Sequence, residues 1–66
     1  MLKRWIEVYA TELKRIEETL QKYIELKQIY HDHPHTLIVL DTKIKRLEQE
    51  KVACEKTLSG LKKRYS

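Results

Sequence analysis

Three histidines alternate with other residues in one short segment of the chain. His31, His33 and His35 are separated by Asp32 and Pro34. Neutral imidazoles and a carboxylate are suitable ligands for zinc, nickel or copper. Structural zinc sites usually have four ligands and favour cysteine, however, so the main expectation is a solvated polar turn. A metal-responsive turn built from the three histidines is an alternative prediction, and the sequence predicts no resident metal or other cofactor.

Basic residues gather near both ends of the chain, next to an aromatic side chain at each end. Lysine and arginine suit contacts with phosphate groups, and aromatic rings suit stacking on bases. The same set suits an acidic protein surface equally well, and the chain carries no helix-turn-helix or zinc-finger motif. A nucleic-acid-associated regulator is therefore an alternative prediction, using Lys3, Arg4, Trp5, Lys62, Lys63 and Arg64.

Cys54 is the single cysteine, so the 66-residue chain cannot form an internal disulfide. A lone cysteine fits a reducing compartment, which predicts a cytoplasmic protein. None of the histidines is expected within reach of this thiol, so we expect Cys54 to pack as a small apolar residue rather than act as a nucleophile. No apolar run approaches the ~20 residues that cross a membrane. No catalytic motif is present, and the sequence predicts a protein that is not an enzyme.

Pro34, the only proline, marks the point where the chain must turn. Its ring disfavours helical geometry at His33, and it has no N–H to donate inside a helix. Proline is well suited to the first position of a new helix, because the N–H there has no partner in any case. His33 is therefore the expected N-cap of a second helix, with Asp32 as the competing cap.

In both halves of the chain, mostly apolar residues recur at alternating steps of three and four, which is typical of a coiled coil. We call these 18 positions the seam. In the first half they are Leu2, Ile6, Tyr9, Leu13, Ile16, Leu20, Tyr23, Lys27 and Tyr30. In the second half they are Leu37, Leu40, Ile44, Leu47, Lys51, Cys54, Leu58, Leu61 and Tyr65.

The phase of this repeat changes at Pro34, which argues against one continuous helix. Continuing the first repeat through the proline would place Asp41 and Glu48 in the seam instead of apolar residues. If the second half instead folds back along the first, seam residues whose numbers sum to 67 lie opposite each other, beginning with Tyr30 and Leu37 beside the turn. The sequence therefore predicts an all-α fold: one domain over 1–66, a two-helix antiparallel coiled-coil hairpin with helices at about 2–31 and 34–64 and a turn at about 31–35.

A two-helix hairpin has one face per helix to bury, and domains of this size usually recruit further helices or a partner. Apolar residues outside the seam cluster near the turn. We therefore expect a homodimer that forms a four-helix bundle, or else binding to a different protein. The predicted function is a small adaptor, regulator or assembly element whose contact residues are Ile24, Leu26, Ile29, Ile38 and Val39.

Overall fold

The computed structural model of the chain describes residues 2–65, which form two helices. Helix α1 spans Leu2–Ile29 and helix α2 spans Pro34–Tyr65. At ~1.5 Å per residue the helices are about 42 and 48 Å long, and the longest dimension of the molecule is 49 Å. They therefore lie side by side and run in opposite directions. The predicted helical hairpin is confirmed, while its association into a four-helix bundle stays a prediction.

The turn closes through backbone hydrogen bonds on both sides of Pro34. The N–H of Leu37 donates to the carbonyl of His33 at 3.0 Å, which makes His33 the residue that caps α2. The N–H of His33 donates to the carbonyl of Tyr30 at 2.9 Å. This tight turn ends α1 at Ile29, two residues before the end expected from the sequence. Asp32, the competing candidate, lies one residue before this cap position.

The core lies along the middle of the hairpin and consists of seam residues only. Within residues 2–65 six side chains are buried, and all six belong to the seam: Ile16, Leu20, Leu40, Ile44, Cys54 and Leu58. Tyr9, Leu13, Tyr23 and Leu47 pack against the central group of these residues. At the ends of the seam, Tyr30 and Tyr65 remain exposed. Burial therefore decreases toward both ends of the hairpin.

The two seam lysines pair with acidic residues of the opposite helix. Lys27 Nζ lies 2.6 Å from Asp41 Oδ1, and Lys51 Nζ lies 3.9 Å from Glu17 Oε1. Each lysine reaches a carboxylate that lies one position from the seam of the opposite helix. Both pairs are partly exposed, so each stabilises the hairpin by only ~0–1 kcal/mol.

The hairpin is elongated and exposes more surface than a compact protein of its mass. It exposes 5601 Å² at 8.0 kDa, whereas a compact monomer of that mass exposes about 4,450 Å². The difference is about 1,150 Å². Over residues 2–65, neither helix combines the length and apolar character needed to cross a membrane.

Candidate interaction surface

Exposed apolar side chains concentrate near the turn. Among the described residues, nine large hydrophobic side chains are exposed, and five of them lie between residues 24 and 39. Ile29 and Ile38 are the most open, at 67% and 65% exposure. Of the five predicted contact residues, four are exposed and Leu26 is half-buried. Apolar clusters of this kind are typical of surfaces that contact other proteins.

The hairpin divides these contact residues between two opposite sides. Successive residues of a helix are about 100° apart, so Ile24 and Leu26 lie on opposite sides of the seam residues that flank them. In an antiparallel helix pair, the residues that directly follow or precede the seam at equivalent heptad positions of α1 and α2 lie on the same side of the hairpin. Ile24 and Ile38 therefore share one side, and Leu26, Ile29 and Val39 share the other.

Contacts between the helices mark the two sides independently. The Lys27–Asp41 and Lys51–Glu17 pairs lie on the side of Ile24 and Ile38, which we call the ion-pair side. On the other side, Lys43 Nζ lies 5.9 Å from the centre of the Tyr23 ring. That side also carries Trp5, and we call it the Trp5 side. The sequence predicted one patch near the turn, whereas the structure presents two.

The basic residues meet at the end of the hairpin opposite the turn. Because α2 continues through Gly60 to Tyr65, Lys62, Lys63 and Arg64 run alongside the start of α1, where Lys3 and Arg4 lie. All five are exposed. Trp5 is 53% exposed, and its ring lies 6.3 Å from that of Tyr9 at an interplanar angle of 33°. An aromatic surface and five cations therefore share one end of the hairpin.

The histidines of the turn have separate local partners. His31 Nδ1 lies 3.1 Å from the carbonyl oxygen of Gln28, and His31 Nε2 lies 3.2 Å from Asp32 Oδ1. The His33 ring packs edge-on against Tyr30, with the ring centres 5.6 Å apart. Within residues 2–65 no three His, Cys, Asp or Glu side chains are grouped as metal ligands. His31 and His33 thus have structural contacts in the turn, and His35 is exposed at the start of α2.

No family model, no curated protein and no solved structure matches this chain.

Cys54 lies in the core of the hairpin. It is 7% exposed, and its Sγ–H donates to the carbonyl of Tyr9 at 3.3 Å. Burial raises the pKa of the Cys54 thiol, and the nearby carboxylates of Glu12 and Glu55 raise it further. A raised pKa disfavours the thiolate, which is the reactive form. The thiol therefore contributes to packing and to one hydrogen bond.

Sequence reasoning overlooked the residues that pair across the seam. Asp41, Glu17 and Lys43 each lie one position from a seam residue, and each contacts the opposite helix. A signal for them was present, because a charged residue beside the seam faces the partner helix in any antiparallel pair. Which of the several charges on each flank meet depends on side-chain reach, and this is decided only in the folded hairpin.

Proposed function

We propose that this chain is a small, non-enzymatic interaction module that associates with itself and offers apolar helix faces to proteins. The concentration of exposed apolar side chains near the turn carries this proposal, because five of the nine large hydrophobic side chains that are exposed among the described residues lie there. Two hairpins that pack along their length would form a four-helix bundle, in which each helix gains a second neighbour.

The surface area of the hairpin supports association with a second copy. A standard interface buries ~800 Å² per partner. The hairpin exposes about 1,150 Å² more than a compact chain of its mass. A dimer with a standard interface would therefore remove most of that excess. The thin core supports association as well, because every described side chain keeps at least 2% of its surface exposed to solvent.

Sedimentation equilibrium across a range of concentrations tests the proposal. We expect a reversible dimer for the natural chain. Two matched variants assign the surface: Ile24→Glu/Ile38→Glu on the ion-pair side and Ile29→Glu/Val39→Glu on the Trp5 side. We expect one of them to shift the equilibrium to monomer, because a buried carboxylate without a partner is strongly unfavourable. A natural chain that remains monomeric up to millimolar concentration would refute self-association.

The basic end supports a second candidate, a nucleic-acid-associated regulator. Its five cations and Trp5 are all exposed at the end opposite the turn. Binding through phosphates weakens steeply with salt, by roughly one power of the salt concentration for each phosphate contacted. Fluorescence anisotropy with labelled single-stranded and duplex oligonucleotides, at low and moderate salt, measures this directly. A signal that does not change at low salt would remove the candidate.

A further inference from the structure

Helix α1 carries a second repeat at alternating steps of three and four, outside the seam. It runs along the Trp5 side, and we call it the α1 stripe. Its members are Trp5, Val8, Glu12, Arg15, Thr19, Lys22, Leu26 and Ile29. The two residues at each end of the stripe are apolar and the four in the middle are polar. A repeat with this spacing forms one continuous face along a helix.

This face is open to solvent for most of its length. Trp5 and Val8 are 53% and 50% exposed, and Ile29 is 67% exposed. Glu12, Thr19 and Leu26 are half-buried. Trp5 is nevertheless held in place, because its ring packs against Tyr9. The stripe thus offers partly ordered apolar groups that α2 does not cover.

The stripe is complementary to a second, antiparallel copy of itself: apolar residues then lie opposite apolar residues, and an acidic residue lies opposite a basic one. If a second copy of α1 lies antiparallel on this face, residues whose numbers sum to 34 meet. Trp5 then faces Ile29 of the second copy, and Val8 faces Leu26. Glu12 faces Lys22 of the second copy, so opposite charges meet. Arg15 faces Thr19 next to the two-fold axis.

Every pair occurs twice in such a dimer, because a two-fold axis relates the copies. The interface therefore contains four apolar contacts near its ends and two ion pairs between them. Within its own chain Glu12 pairs with Arg15, whose Nη2 lies 2.5 Å from Glu12 Oε1. A carboxylate has two acceptor oxygens, so Glu12 can also accept from Lys22 of the second copy. The same contact, with the neighbouring charge of Glu12, raises the pKa of Arg15, which stays charged.

We infer that the chain forms an antiparallel homodimer through the α1 stripe, with the turn of each hairpin next to the chain ends of the other. This inference rests on the proposed self-association and adds the face and the direction. It leaves Ile24 and Ile38, on the ion-pair side, outside the interface and accessible to a different protein.

The basic end of the hairpin favours this direction over a parallel one. A parallel dimer would gather two sets of five cations: Lys3, Arg4, Lys62, Lys63 and Arg64. The antiparallel dimer separates the two sets by roughly 40 Å along the helix axis. That distance is several Debye lengths at physiological salt, so repulsion between the sets is screened. In a parallel dimer, moreover, each Glu12 would face Glu12 of the second copy.

Charge-swap variants test both the face and the direction. Sedimentation equilibrium would be measured for the natural chain, Glu12→Lys, Lys22→Glu, the double variant and a mixture of the two single variants. Each single change turns two attractive pairs into two repulsive pairs, and we expect self-association to weaken roughly thirtyfold. The double variant restores both pairs, so we expect affinity close to that of the natural chain. The mixture should form heterodimers, because the lysine introduced at position 12 of one chain then meets the glutamate introduced at position 22 of the other.

The mixture also controls for effects inside one chain. Glu12→Lys removes the Glu12–Arg15 pair, and this loss persists in the mixture, so recovery of association there must come from contacts between copies. Glu7→Lys changes the charge of the same helix by the same amount, about 140° away from Glu12, and is expected to leave association unchanged.

Three outcomes would overturn the inference, and they are distinguishable. A natural chain that is monomeric throughout would refute the proposed self-association together with this interface. A dimer that Glu12→Lys and Lys22→Glu do not weaken would leave self-association standing and refute the stripe. A double variant that associates no better than the single variants would refute the antiparallel pairing of Glu12 with Lys22.

Discussion

The continuation of α2 through Gly60 decides where the basic residues lie, and replacing this glycine tests it. Gly60 lies five residues before the end of the helix at Tyr65. No glycine or other described residue has a positive φ, and a Cβ added at Gly60 would meet no atom within 4 Å. Alanine therefore fits this position without strain or a clash.

The expected gain follows from helix propensity. Alanine is more favourable than glycine inside a helix by ~0.8–1.0 kcal/mol, because glycine loses more backbone freedom on folding. We expect Gly60→Ala to raise the free energy of unfolding by up to ~1 kcal/mol. For a domain of this size that corresponds to a rise in Tm of about 4–8 °C.

Thermal unfolding followed by circular dichroism at 222 nm measures this change, with all chains at the same low concentration. Ala53→Gly is the matched control, since Ala53 is an exposed position in the same helix. We expect it to lower stability by a similar amount, ~1 kcal/mol.

Gly60→Ala would refute the continuous helix if it destabilised the chain while Ala53→Gly behaved as expected. Glycine at the end of a helix often takes the left-handed conformation, where a side chain costs ~1–2 kcal/mol. A loss of stability would therefore mean that α2 ends near Ser59. Lys62, Lys63 and Arg64 would then no longer run alongside α1, and the cations of the two chain ends would not be brought to one end of the hairpin.

Two further predictions concern the core. Ile16→Val should lower the free energy of unfolding by ~1 kcal/mol, because Ile16 is only 5% exposed. The control Ile24→Val, at an exposed position, should change it by less than ~0.5 kcal/mol. Equal losses of stability for the two variants, measured by urea unfolding, would contradict the assignment of the core. The raised pKa of Cys54 means that the folded state holds the thiol proton more tightly than the unfolded state. Its contribution to stability is therefore present below the unfolded pKa and is lost as pH rises from about 8.5 upward. We expect the stability of the natural chain to fall faster in this range than that of Cys54→Ala, and parallel curves would contradict the effect of burial.

The position of the turn and the identity of the seam could be predicted from local chemistry alone. Pro34 excludes a continuous helix through its own backbone restrictions, whatever surrounds it. The alternating steps of three and four select one face of each helix, and all six buried side chains belong to that face. These features depend on covalent geometry and helical periodicity, which the order of residues fully specifies.

Other features depended on how the two helices are placed in space. The carboxylates that pair with Lys27 and Lys51 are set by register and side-chain reach, which no repeat in the sequence encodes. The same placement brings apolar residues of α2 beside those of α1, so that Ile38 shares a side with Ile24, and Val39 shares a side with Leu26. Each side of the hairpin therefore combines residues of both helices, which only the packing of α2 against α1 brings together.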